Sequence, residues 1–211
     1  MKTLLLIALT FGPVAAAPAD VETDKREILA VVKKGVEEVV EVLKNKELSG
    51  DERRKQVTKI IDPLIDFQLL AMLSLGKKHW NAADAKQRET FTELFVETVK
   101  LSYLEKLELF TDEVVEFDEP IPTSTKGSPK YSMLTYIVSK GDRIKVDYHI
   151  TKRDDIWKAY DFEIEGVSIR KSYGAQYNDY LKQASFDELL ATMREKVEEA
   201  RKKGSQSAGT Q

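Results

Sequence analysis

The chain contains no cysteine and only two histidines. The first absence excludes disulfides, thiolate nucleophiles and cysteine metal sites together. The histidines, His79 and His149, fall in unrelated patterns, and no His-x-x-x-His step supplies the close ligands that a zinc site needs. A Gly-rich phosphate loop, a nucleophile elbow and a serine–histidine motif are missing as well. There is no basic excess: 33 Lys and Arg stand against 36 Asp and Glu, a net charge of -3. A nucleic-acid partner, whose phosphates demand such an excess, is therefore not expected. Past the first residues Lys, Glu or Asp interrupts every hydrophobic run, so no segment reads as a membrane span.

The N-terminus has its own pattern. Met1, Lys2 and Thr3 lead into an apolar run from Leu4 to Val14, followed by Ala15-Ala16-Ala17-Pro18-Ala19. A positive end, a short greasy middle and a small-residue site predict a cleavable secretory signal over residues 1–19, with Ala17 and Ala19 as the A-x-A pair. Cleavage removes Lys2 and takes the net charge from -3 to -4. Residues 20–203 are then expected to form a single domain, long enough to bury a core without disulfides.

Within that domain, Ile28, Val31, Val32, Val36, Val39, Val40 and Leu43 recur at three and four, which predicts an amphipathic helix from Val21 to about Lys44. Valine is a poor helix former, so this helix needs packing to hold it. After a break at 45–50, Ser49 and Glu52 make a capping-box start for a helix carrying Val57, Ile60 and Ile61. Pro63 is expected in the first turn of a short third helix with Leu64, Phe67, Leu70 and Leu73 or Met72 buried, ended by Gly76. A long helix is expected from about Ala85 to Leu109, with Phe91, Leu94, Phe95, Leu101, Leu104 and Leu107 on one face.

From Glu113 the period changes to two. A short strand at 113–117 precedes a Pro/Gly-marked loop. Tyr131 to Val138 is apolar on both alternating sets, as in a strand covered on both faces. Ile144, Val146, Tyr148 and Ile150 alternate with Lys145, Asp147, His149 and Thr151, which predicts one apolar face with His149 turned away from it. Trp157 to Ser168 is read as the last strand of an antiparallel meander. Asp161, Glu163 and Glu165 share a face there, near Asp147: an acid–base pair, a cation site, or a face paired with Lys145 and Lys158. Two helices follow, near Tyr173 and from Ser185, where Glu188 gives a second capping box. Residues 204–211 lack periodicity and are expected to be a disordered tail. The fold class is α+β, helices packed on a curved antiparallel sheet of about four strands.

Several pieces of this pattern occur together in one known family. Asp66-Phe67, Leu75-Gly76-Lys77-Lys78-His79-Trp80, Gln87-Arg88, Phe91, Phe95 and Tyr103 occur in the helical half. Val146-Asp147-Tyr148, Trp157-Lys158-Ala159-Tyr160-Asp161, Glu165-Gly166-Val167-Ser168, Tyr173 and Gln176-Tyr177 occur in the second half. In this order and over most of the domain, the chain resembles the MlaC family, also called the toluene-tolerance family. Where that family often has Asn-Tyr-Arg, this sequence has Ser172-Tyr173-Gly174, so no basic head-group contact is carried over to that turn.

The resemblance implies a nuclear-transport-factor-2-like fold and a periplasmic, non-enzymatic carrier that holds phospholipid as cargo and needs no cofactor or metal. It implies a monomer that exchanges lipid with an outer-membrane lipoprotein complex and with an inner-membrane ABC transporter complex carrying an MCE-domain protein. A hopanoid or other lipid carrier, a small-molecule enzyme on the same scaffold and a cavity-free interaction protein are the alternatives. Candidate pocket walls are Leu70, Leu73, Phe91, Phe95 and Leu101 on helices, Tyr131, Met133, Leu134, Tyr136 and Val138 on the two-faced strand, and Ile144, Val146, Tyr148 and Ile150 on the next. For each of them ordinary core packing is the competing assignment.

Overall fold

The computed structural model describes residues 21–107, 114–124, 127–139 and 142–208. The expected signal segment lies outside them. Among these residues five α-helices come first: α1 (Val21–Lys44), α2 (Gly50–Ile61), α3 (Phe67–Leu75), α4 (Lys77–Ala82) and α5 (Ala85–Leu107). Strands β1 (Val114–Phe117), β2 (Ile121–Ser124), β3 (Lys130–Ser139), β4 (Asp142–Arg153), β5 (Ile156–Ile164) and β6 (Val167–Ser168) follow, and α6 (Ile169–Tyr180) and α7 (Phe186–Ala208) end the chain.

Local chemistry sets most of these boundaries. The capping box at Ser49 and Glu52 is formed, each side chain accepting the other residue's backbone N–H. The same exchange links Ser185 and Glu188 at the start of α7. Pro63 sits in a separate 3-10 turn, Asp62–Leu64, rather than in α3, whose N-cap is Asp66. Asp66 accepts from Leu69 N at 2.9 Å and from Arg153 at 2.9 Å, so one carboxylate both starts α3 and ties it to β4.

All the sheet pairings are antiparallel, and the order is β1-β3-β4-β5-β6 with β2 beside β1 on the same edge of β3. The sheet has six strands, more than the four or so expected. One extra strand comes from the proline-marked loop, where Ile121 and Pro122 pair with Ser132 and Tyr131. Pro122 is tolerated because this is an edge. The other arises because Trp157 to Ser168 is not continuous: Glu165 (φ 50°) and Gly166 (φ 79°) turn the chain back, and β6 pairs with the end of β5. Two successive positive φ angles make this the tight hairpin turn that matches sheet twist. Helix α7 runs through Gly204 to Ala208, so the expected tail is helical over most of its length. A single glycine costs a helix about 1 kcal/mol, which does not by itself end one.

Two apolar clusters result. Leu70, Ala71 and Leu75 of α3, Phe91, Leu94, Phe95 and Val99 of α5, Ile169 and Tyr177 of α6, and Leu189, Leu190, Met193 and Val197 of α7 form the helical core. Its rings interlock edge to face, Phe91 on Tyr177 at 5.2 Å and Phe95 on Tyr173 at 5.5 Å. A smaller cluster joins Ile28 of α1 to Tyr131, Met133, Ile150, Trp157 and Ala159 of the sheet.

Candidate functional site: an apolar hollow under α1

Helix α1 is pinned to the sheet at its N-terminal end. Tyr131 donates its hydroxyl to the buried carboxylate of Asp24 at 2.9 Å. Trp157 Nε1 and Lys152 Nζ both donate to Glu27, at 2.8 and 3.1 Å. These bonds, from Trp157 first and Lys152 second, hold the Glu27 carboxyl below its ordinary value. Ile28, fully buried, closes that end.

Beyond Ile28 the helix stands off the sheet, and the space beneath it is a hollow of about 600 Å³. That lies within the roughly 300–1,000 Å³ typical of ligand pockets. Val31, Val32, Val36, Val39, Val40 and Leu43 of α1 form the roof. Ile61, Leu64, Phe67, Val99 and Tyr103 form the helical side, and Val115, Ile137, Ile144, Val146, Tyr148, Ile150, Phe162 and Ile164 form the floor. Val167, 61% exposed, also lines it, so the hollow reaches the surface beside the β5–β6 turn. Among the described residues Lys44 and Lys100 are the only charged ones in the lining, and none of the lining residues is a carboxylate. Burial pushes the pKa of the Tyr148 and Tyr103 phenols above the ordinary value, which keeps these lining groups neutral.

The hollow persists because of the residue types around it. Valine and isoleucine are short and fixed at χ1, so they make walls and cannot reach across to fill the space. At Gly35 α1 comes close to the 3-10 turn: a Cβ there would lie 2.3 Å from Leu64 Cδ1, so a larger residue requires the end of the Leu64 side chain to turn aside.

A β-bulge decides what the floor presents. His149 pairs with Asp161 but Ile150 pairs with Ala159, leaving Tyr160 as an extra residue. The bulge switches the alternation, so Trp157 and Ala159 before it and Phe162 and Ile164 after it all face the hollow. Asp161 and Glu163 are thereby turned to the other face. There Asp161, 1% exposed, accepts from Ser168 Oγ at 2.7 Å and from Arg170 N and Nε at 3.0 and 3.2 Å, which joins β5 to the start of α6. Glu165, in the turn, accepts from Lys145 N at 2.5 Å. His149 is also on that face, 3.4 Å from Glu163, which Lys171 approaches at 3.6 Å. Ligand atoms of Asp147, His149 and Glu163 lie within 4.8 Å of one another. Ser132 donates to Asp147 at 2.6 Å, so each member of this trio has a protein partner.

Of the wall residues expected from sequence, Ile144, Val146, Tyr148 and Ile150 line the hollow. Tyr131 and Met133 share their face of the sheet but are packed solid against Ile28 and Trp157 at the closed end. Leu134, Tyr136 and Val138 alternate onto the opposite face, where the Arg143 guanidinium covers the Tyr136 ring at 3.5 Å. Leu70, Phe91 and Phe95 belong to the filled helical core, Leu73 is half-buried on α3 outside the lining, and Leu101 lines a groove on the outer side of α5. The residues missed include the α1 roof, Ile61, Leu64, Phe67, Val99 and Tyr103 on the helical side, Val115 and Ile137 on the floor, and the post-bulge pair Phe162 and Ile164. The valine stripe of α1 was the available signal.

An α+β domain whose helices and open antiparallel sheet enclose an apolar hollow defines the class, and the arrangement is consistent with the nuclear-transport-factor-2-like fold. The model of the MlaC protein family matches residues 33–195, and the chain belongs to that family. Its fold is similar to that of the phospholipid-binding protein from Ralstonia solanacearum, solved in complex with a phospholipid. That likeness has a TM-score of 0.71 at 20% identity and covers 82% of this chain and 97% of that one.

Proposed function

We propose that this protein is a periplasmic phospholipid carrier, not an enzyme, which takes acyl chains into the hollow under α1 and leaves the head group at its mouth. The observation that carries this reading is the lining: apolar apart from Lys44 and Lys100, reaching the surface, and free of carboxylates among the described residues. Membership of the MlaC family and the phospholipid-bound relative from Ralstonia solanacearum support it.

The physics fits a carrier. Each acyl methylene exposed to water costs about 0.8 kcal/mol, so two long chains crossing an aqueous gap bare would cost on the order of 20 kcal/mol. Inside a bilayer the chains are already dry, so transfer into an equally dry hollow is nearly thermoneutral. Direction is then supplied by the partners. In this reading they are an outer-membrane lipoprotein complex and an inner-membrane ABC transporter complex with an MCE-domain protein, approached by a monomer exported with its signal removed.

Native mass spectrometry of the protein purified after export tests the binding step: a one-to-one phospholipid adduct is expected, and protein that extracts with no lipid would defeat it. Transfer of labelled lipid between donor and acceptor vesicles tests the shuttle. No acceleration over vesicles alone would reduce the protein to a lipid store.

A further inference from the structure

The hollow shares one lining residue with a second depression. On the outer side of α5, facing α2, a groove of about 500 Å³ is lined by Arg54, Glu93, Val96, Glu97 and Lys100 among others. Lys100 also lines the hollow. Its ammonium is 2.5 Å from Asp62 and 5.2 Å from the ring centre of Phe67, which lies on the hollow side. Apolar hollow and charged groove therefore meet at one cation.

The groove carries both signs of charge in a fixed order. Glu93, Glu97 and Lys100 follow at spacings of four and three along one face of α5, so neighbours stand about one turn, ~5 Å, apart. Arg54 faces them from α2, where it pairs with Asp51 at 3.0 Å. Glu93 is exposed and has no ion pair among the described residues. Glu97 pairs with Arg201, whose side chain is 60% exposed, and exposed pairs of this kind exchange partners at little cost. The remaining lining cation, Lys44, ends α1, where the helix dipole alone accounts for a positive side chain.

The geometry points to a subsite here for a zwitterionic phospholipid head group, its phosphate between Lys100 and Arg54 and its primary ammonium between Glu97 and Glu93. This rests on the proposal that the hollow takes the acyl chains. A head group with a phosphate alone would gain the two cations but lie against two carboxylates; an aminoethyl phosphate meets both signs. The subsite would therefore select among heads without contributing to the burial of the chains.

The full chain is incubated with vesicles of phosphatidylethanolamine and phosphatidylglycerol in equal amounts with identical acyl chains, and the bound lipids are read by native mass spectrometry. The wild type is expected to favour phosphatidylethanolamine about three- to fivefold, the selectivity that exposed charge pairs supply. E93Q/E97Q should bring that ratio close to one with total loading unchanged, and R54Q/K100Q should lower loading of both lipids. An even ratio in the wild type, a ratio unmoved in E93Q/E97Q, or a ratio governed by K44Q would overturn the subsite while leaving the carrier intact. No loading of either lipid would remove the carrier reading and the subsite with it.

Discussion

The two apolar regions of this molecule draw on different proportions of the same apolar side chains and come to opposite ends. The helical core is dominated by Leu, Phe, Tyr and Met, long or planar groups that interdigitate around a few β-branched residues, and among them Leu70, Phe91 and Phe95 are fully buried. The space under α1 is walled mostly by Val and Ile of α1 and the sheet, with Leu43, Leu64, Phe67, Tyr103, Tyr148 and Phe162 at its sides, and it stays open. Hydrophobicity is common to both. Reach and stiffness separate them: a leucine or phenylalanine can enter its neighbour's gap, while a β-branched residue in a helix or strand holds its ground. A filled core holds the fold together, and a walled hollow leaves room for hydrocarbon that arrives later.

The largest test of this contrast is in the filled region. Phe91→Ala should cost about 3–5 kcal/mol, the range for emptying a packed aromatic site, read by urea unfolding. A loss below about 1 kcal/mol would mean that the helical core is as loose as the hollow. Next comes the close contact between the roof and the 3-10 turn. Gly35→Ala places a methyl against the end of the flexible Leu64 side chain, which can turn into the hollow it lines, so thermal unfolding should report a change of no more than about 1 kcal/mol while lipid loading is altered; a loss above about 3 kcal/mol would mean that Leu64 has no room to move.

Val39→Phe sharpens the comparison from the other side. In a packed core the added bulk would be costly, but in an open hollow it should change stability by less than about 1 kcal/mol while lipid uptake falls steeply. A large destabilisation would show that the space is already occupied. The smallest effect belongs to the anchor of α1. Glu27 titrates below its ordinary value when folded, so its contribution is present above the unfolded value of about pH 4.3 and is lost as pH falls through the lower folded value. Trp157 fluorescence should therefore change on acidification below about pH 4.3, and Glu27→Gln should abolish that step. A step retained in Glu27→Gln would place the titrating group elsewhere.

Much of the fold was legible because it is written locally. The α1 limits, both capping boxes, the strand at Ile144 to Ile150 and the outward His149 follow from period and caps, and the structure carries them. The candidate site was legible only in part, because alternation says that two residues share a face and does not say what lies opposite. Phe91 and Phe95 are as apolar as Val36 and Val39, and no pattern in the sequence says which set meets a partner. The bulge at Tyr160 was visible only as a broken alternation, Trp157 and Ala159 followed by Phe162 and Ile164.

By itself, then, the sequence determined most of the secondary elements, the α+β class, the absence of cysteine and zinc-motif chemistry, and a family pattern spread along the domain. Those are properties of neighbouring residues and of composition, which a chain holds before it folds. Tertiary structure alone decided that α1 rests at Gly35 on Leu64 and stands clear of the sheet beyond Ile28, and that a bulge turns Asp161 and Glu163 out while Phe162 and Ile164 turn in. A cavity is a relation between surfaces far apart in the chain, so it exists only once those surfaces have been held at a distance their side chains cannot bridge.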